Sequence, residues 1–202
     1  MRRPKLKICG INDPRIAAAA EVGGADYLGF IFVPGSPRAV TPERAKELFG
    51  ALEGKARRVG VFVRDRVEGI KRIAREIGLD VVQLHGAYPD ADVLCLQEAG
   101  FEVWRLDDGG EGGPEDAVLV DGRAGGQTGG TGRRADWERA RALKAAGKRV
   151  VLAGGLSAEN LGEAAGTGCD VLDVNSSLEV APGVKSEEKL SRLLAVWRGF
   201  RG

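Results

Sequence analysis

The chain has 202 residues, 43% of them hydrophobic, so it can bury a sizeable core, and residues 1–202 read as one domain. Its 30 basic and 29 acidic side chains nearly cancel, which excludes a broad cationic face for nucleic acid. No apolar run is long enough to span a bilayer, and Met1 to Lys5 leads into a strand pattern without a signal-type hydrophobic segment, so a cytoplasmic protein that stays off membranes is expected. Cys9, Cys95 and Cys169 are an odd count without metal-ligand spacing, so neither a disulfide nor a metal site is expected.

In chain order, Leu6 to Cys9 reads as a first strand and Gly10 as its turn. Asn12-Asp13-Pro14 then caps an Ala-rich helix through Val22, stopped at Gly23-Gly24. Tyr27 to Phe32 is a second strand, followed by a proline-bounded loop from Pro34 to Arg38. Thr41-Pro42-Glu43 opens the next helix. Arg58 to Val63 is the third strand, with a helix running to about Ile77 and Gly78 as its stop. Val81 to Leu84 is the fourth strand, closed by His85-Gly86, and Pro89 to Ala99 is helical.

Phe101 to Leu106 alternates as a fifth strand. The segment from Asp107 to Asp116 is rich in glycine, so the helix expected there is reduced or missing. Ala117 to Asp121 is the sixth strand. Gly122 to Gly132 reads as a mobile loop, because strand and helix patterns resume directly after it. Asp136 to Ala146 is a helix, Val150 to Ala153 the seventh strand, and Gly154 to Ser157 the turn into another helix. Val171 to Val174 is the eighth strand, with Asn175-Ser176-Ser177 as its loop and a closing helix from Glu187 to Trp197.

Eight apolar strands alternating with helices argue for an α/β fold with a parallel sheet covered on its faces. A single-domain (β/α)8 TIM barrel fits best; an open doubly wound sheet is the competing architecture. In the barrel all eight strand ends surround one mouth, where active sites of this architecture sit.

Cys9 ends the first strand between Lys7 and Gly10, where donors from loop backbones can stabilise a thiolate; it is a candidate base, against the plainer reading of a small buried hydrophobe. Asp121 ends the sixth strand and would approach the mouth from nearly the opposite side. A carboxyl in a dry, ligand-covered mouth rises in pKa and can serve as a general acid. A thiolate facing a protonated carboxyl across a small ligand is a proton-transfer pair, which suits an isomerase.

Gly154-Gly155 and Ser176-Ser177 occupy the loops that in such barrels commonly hold a phosphate with backbone amides. Arg38 is the natural partner for a second anion such as a carboxylate. His85, the single histidine, and Lys7 read as supporting residues. Gly129 to Gly132 lacks the Lys-Ser/Thr ending of a P-loop, and Gly130 and Thr131 read instead as part of a lid.

The stretches KICGI (Lys7 to Ile11), GADYLGFIF (Gly24 to Phe32), PGSPR (Pro34 to Arg38), VGVFV (Val59 to Val63) and VQLHG (Val82 to Gly86) come first. GGTG with DW soon after (Gly129 to Trp137), LAGGL (Leu152 to Leu156), DVNSSLE (Asp173 to Glu179) and PGVK (Pro182 to Lys185) follow. Together they resemble the phosphoribosylanthranilate isomerase family of tryptophan biosynthesis over nearly the whole chain. The resemblance implies a TIM barrel that carries out an Amadori rearrangement on a phosphorylated small molecule, without cofactor or metal. By motif, Cys9 is similar to the family's general base, Asp121 to its general acid, and Arg38 to its binder of the anthranilate carboxylate. Gly154, Gly155, Ser176 and Ser177 match its phosphate cradle.

The family usually reads DVSSGVE, so Asn175 here replaces a serine and Ser177 a glycine, which touches the phosphate donors of that loop. PGVK is usually followed by Asp, where Ser186 stands; both residues cap helices. Family members occur as monomers and homodimers, so a homodimer is an assembly the resemblance allows. The related histidine-pathway sugar isomerase, with aspartate at the first strand end, and a non-catalytic metabolite-binding barrel are the competing functions.

Overall fold

The computed structural model describes residues 3–110, 112–122 and 136–200. Eight strands form one closed parallel barrel: β1 (Lys5–Ile8), β2 (Tyr27–Ile31), β3 (Arg57–Phe62), β4 (Val81–Leu84), β5 (Glu102–Leu106), β6 (Ala117–Val120), β7 (Val150–Ala153) and β8 (Val171–Val174). Each pairs with the next, and β1 closes on β8 with Lys7 opposite Asp173. The open doubly wound sheet is thereby excluded.

Among the described residues seven α-helices pack outside: α1 (Pro14–Val22), α2 (Pro42–Phe49), α3 (Val67–Ile77), α4 (Asp90–Glu98), α5 (Trp137–Ala145), α6 (Leu161–Ala165) and α7 (Glu187–Gly199). Side chains of Asp13, Thr41, Asp136 and Ser186 accept from backbone amides of the first turns of α1, α2, α5 and α7, as their positions before the apolar runs require. Gly78 ends α3 in the left-handed conformation, φ 68°. The described residues between β5 and β6 hold no helix, in keeping with their glycine content. After β7 the helix begins only at Leu161. Asn160 accepts from the Ser157 amide and donates to the Gly155 carbonyl, holding the chain in turns until α6 begins.

Two further features were not anticipated from the pattern. A small antiparallel hairpin, β9 (Glu179–Ala181) and β10 (Val184–Lys185), stands after β8, turning at Pro182 and Gly183. At the opposite end of the barrel, Asp26, Asp80, Asp116 and Asp170 each precede an even-numbered strand and accept the backbone amide of Leu6, Arg58, Val103 or Val150, at 2.7–2.8 Å. These four carboxylates tie the start of every odd-numbered strand to its successor.

The barrel interior is layered. Its lower end is a polar plug in which Glu102 takes hydrogen bonds from Arg57, Arg149 and Trp104. Above lies an apolar layer that includes Tyr27, Val59, Val81, Trp104 and Val171, with the Tyr27 and Trp104 rings edge to face at 4.9 Å. The uppermost layer is mixed: Gln83 and Asp173 stand with Val61, Leu119 and Ala153 on the floor of the mouth, and Lys7 is buried against Asp173.

Candidate active site

A cavity of about 880 Å³ opens at the carboxyl ends of the strands. Cys9, Arg38, His85, Asp121, Gly154, Gly155 and Ser176 all line it, so residues far apart in the chain share one cavity. Cys9 and Asp121 each sit one residue beyond a strand, β1 and β6; the first strand is one residue shorter at that end than its apolar run suggests. The Cys9 amide still donates to the Val174 carbonyl at 2.9 Å, which fixes the residue at the rim.

Cys9 is 5% exposed. Burial pushes its pKa up, against the pull of the Lys7 ammonium and, more weakly, of Lys185. Lys7 is fully buried, and its Nζ lies 2.6 Å from Asp173 Oδ2. Its own pKa would fall on burial, but Asp173 and Cys9 outweigh that and hold it raised and charged. Asp173 is raised by burial, opposed by Lys7, with the charge of Asp121 adding to the rise. The glycine at position 29 makes this cluster possible: a Cβ there would stand 2.8 Å from Cys9 Sγ and 3.0 Å from Lys7 Nζ.

Asp121 is 10% exposed at its side chain and meets His85 Nε2 through Oδ2 at 3.1 Å. His85 is therefore a direct partner of Asp121, closer to the chemistry than a residue merely at the strand end. Gly154, at φ 86°, comes so near that a Cβ would lie 2.7 Å from Asp121 Oδ1, so glycine is required both by the dihedral and by the approach.

Arg38 is buried and held side-on by Glu179: Nε donates to Oε1 and Nη2 to Oε2, both at 2.7 Å. Glu179 belongs to the hairpin, as does Lys185, whose Nζ donates to the Asn175 carbonyl at 3.1 Å and to Asn175 Oδ1 at 3.0 Å. Burial lowers the Lys185 pKa, with Glu179 pulling the other way. Asn175, in place of the usual serine, is thus bonded to Lys185.

Gly154 and Gly155 are both left-handed, at φ 86° and 66°. Ser176 to Leu178 make a single 3-10 turn. Ser177, in place of the usual glycine, keeps negative φ, and its hydroxyl donates to the Leu156 carbonyl at 2.5 Å, tying the two loops together. Its side chain neither strains the turn nor points at the cavity wall formed by Ser176. The proposed lid residues Gly130 and Thr131 lie outside the described residues.

A family model described as N-(5'-phosphoribosyl)anthranilate isomerase matches residues 6–196. The chain belongs to that family. It is an isomerase, and its curated relatives include the N-(5'-phosphoribosyl)anthranilate isomerase of Rubrobacter xylanophilus, 42% identical over 95% of this chain and 97% of the relative. The crystal structure of the Thermus thermophilus isomerase is similar at TM-score 0.88 and 37% identity, covering 98% of this chain and 100% of that one. A phosphoribosylanthranilate isomerase crystallised with reduced 1-(o-carboxyphenylamino)-1-deoxyribulose 5-phosphate is similar at TM-score 0.81 and 28% identity, covering 98% and 100%.

Of the residues singled out in the sequence, Cys9, Arg38, His85, Asp121, Gly154, Gly155 and Ser176 meet at one mouth, whereas Asp173, Gln83, Glu179 and Lys185 were not singled out. Alternation along β4 and β8 was the available signal for the first two: Gln83 and Asp173 interrupt apolar strands on the inward side. For the two hairpin residues no periodicity exists to read.

Proposed function

We propose that this cavity catalyses the Amadori rearrangement of N-(5'-phosphoribosyl)anthranilate to 1-(o-carboxyphenylamino)-1-deoxyribulose 5-phosphate, with Asp121 as general acid and Cys9 as general base. The observation that carries the reading is the placement of a thiol and a carboxyl on the rim of one sugar-sized cavity, at the ends of β1 and β6. Asp121 gives a proton to the furanose ring oxygen; the C1–O bond breaks and the nitrogen lone pair forms an iminium. Cys9, as thiolate, takes the proton from C2, and the C2–H electron pair neutralises the iminium as an enolamine. Tautomerisation of the C2 enol, with a proton delivered to C1, yields the ketone. Both steps are proton transfers within one substrate and conserve its atoms.

His85 orients Asp121 through its 3.1 Å contact, and Lys7 sets the charge around Cys9. Arg38 binds the anthranilate carboxylate. Glu179 occupies its Nε/Nη2 edge, which leaves the Nη1/Nη2 edge for a second two-pronged partner. Backbone amides of Gly154, Gly155, Ser176 and Ser177 cradle the phosphate. The enzyme works in the cytosol on a small-molecule substrate. A homodimer is its candidate assembly, by analogy with the dimeric isomerase of Thermotoga maritima.

The test uses the fluorescence of the anthranilate adduct, which decays as substrate is consumed. Cys9→Ser and Asp121→Asn should each slow that decay at least about 10²-fold while the reduced product analogue still binds. Decay at the wild-type rate in either variant removes that residue from its role.

A further inference from the structure

Arg64, in the loop after β3, is the only non-glycine residue with positive φ among the described residues, at 61°. A side chain in that left-handed conformation crowds its own backbone, and such strain persists only where the surroundings impose it. Here they do so from both sides of the turn. The Val63 amide donates to Asp65 Oδ2 at 3.2 Å, and the Tyr88 hydroxyl, on a buried side chain, stands 3.0 Å from the Asp65 amide. The turn brings Arg64 to the rim of the cavity, where it is exposed and part of the lining. Among the described residues no hydrogen bond or ion pair engages its guanidinium. A cation without a counter-charge, held by a strained backbone at a mouth, is placed for what enters that mouth.

The wall around it is apolar. Ile31, Val33, Pro34, Val61 and Val63 line the cavity from β2, β3 and the loops that follow them. In the closed order of eight strands β3 stands opposite β7, whose loop carries Gly154 and Gly155. A substrate whose phosphate lies on that loop therefore presents its far end, the aromatic ring, to the apolar wall and to Arg64.

We propose that Arg64 covers the ring of the substrate, its flat guanidinium lying on the ring face while Arg38 takes the carboxylate, and so selects an aryl amine over a plain sugar phosphate. The assignment deepens the isomerase reading and rests on it. An amino-substituted ring is electron-rich, so its face attracts a cation, and a planar guanidinium stacks on it as an ammonium cannot.

Calorimetric titration of the full chain with two ligands tests this without turnover: reduced 1-(o-carboxyphenylamino)-1-deoxyribulose 5-phosphate, which carries the ring, and ribulose 5-phosphate, which does not. Arg64→Gly removes the guanidinium and relieves the backbone together, so the empty variant should melt no lower than wild type. Arg64→Asn, a residue type that tolerates the same dihedral, repeats the test without adding chain freedom. Both should bind the ring-bearing compound about tenfold more weakly and ribulose 5-phosphate as wild type does. Wild-type affinity for the ring-bearing compound in these variants overturns the ring contact alone. An equal loss for both ligands overturns it too, because Arg64 would then attract anions in general. A wild-type protein that binds ribulose 5-phosphate but not the ring-bearing compound overturns the isomerase reading, and the ring contact with it.

Discussion

Lys7 and Asp173 stand opposite each other on β1 and β8, where the barrel closes, with Nζ and Oδ2 2.6 Å apart and neither side chain more than 5% exposed. Asp173 lines the cavity floor, and the buried Lys7 ammonium acts on both it and Cys9. Removing one member leaves a buried charge without its counter-ion, the costly case for an internal ion pair. Lys7→Met should lower unfolding stability by about 3–5 kcal/mol, and adding Asp173→Leu should recover most of that loss. Denaturant titration of the single and double variants checks it; a single variant as stable as wild type would contradict the buried pairing.

The raised Cys9 thiol sets the pH dependence. A general base acts as the thiolate, and burial holds the thiol above its ordinary value of 9.0, so the active form is scarce at neutral pH and grows as pH rises. The rate does not follow this rise, because Asp121 must keep its proton over the same range, so the thiolate itself is read: its ultraviolet absorbance in the free enzyme, taken as the difference from Cys9→Ser, should climb about tenfold per pH unit from neutrality towards pH 9. A thiolate absorbance already complete near neutral pH would contradict the raised thiol.

Position 29 offers a steric test of the same cluster. A Cβ at Gly29 would push on Cys9 Sγ and Lys7 Nζ from 2.8 and 3.0 Å, and its backbone conformation is one that alanine adopts. Gly29→Ala should cost about 1–3 kcal/mol of stability through overpacking. Turnover should fall by about a hundredfold, because the displaced sulfur no longer meets C2. Melting curves and saturating rates on one preparation separate the two effects.

Much of this molecule can be read from its sequence, because its elements are locally determined. Apolar runs too short for helices, caps at Asp13 and Thr41 and a left-handed stop at Gly78 mark the strand–helix alternation, and alternation implies a parallel sheet, which eight strands fit best as a closed barrel. Cys9 and Asp121 follow from that alone, as strand-end residues. Asp173 does not, because it meets Lys7 across 166 residues only when the sheet closes on itself. Glu179 and Lys185 are hidden for another reason. Their hairpin has strands of three and two residues, too short for any period to show, and it is anchored by side-chain contacts to Arg38 and Asn175.

That hairpin yields a prediction of its own. Glu179 fixes the Arg38 guanidinium on its Nε/Nη2 edge, and among the described residues no hydrogen bond engages the other edge. Glu179→Gln keeps the shape but removes the charge that holds the fork, so KM should rise about tenfold, the equivalent of one well-placed ionic contact, with kcat little changed. Steady-state kinetics reads the two separately. An unchanged KM would detach Arg38 from substrate binding.

The division of labour between sulfur and carboxyl is tested most directly by single-turnover kinetics with substrate deuterated at ribose C2. Cys9→Ser should leave proton removal from C2 rate-limiting, with slow decay and a large primary isotope effect. Asp121→Asn should leave ring opening rate-limiting, with slow decay and no isotope effect. The reverse pattern, or wild-type rates in either variant, would contradict the assignment of base to Cys9 and acid to Asp121.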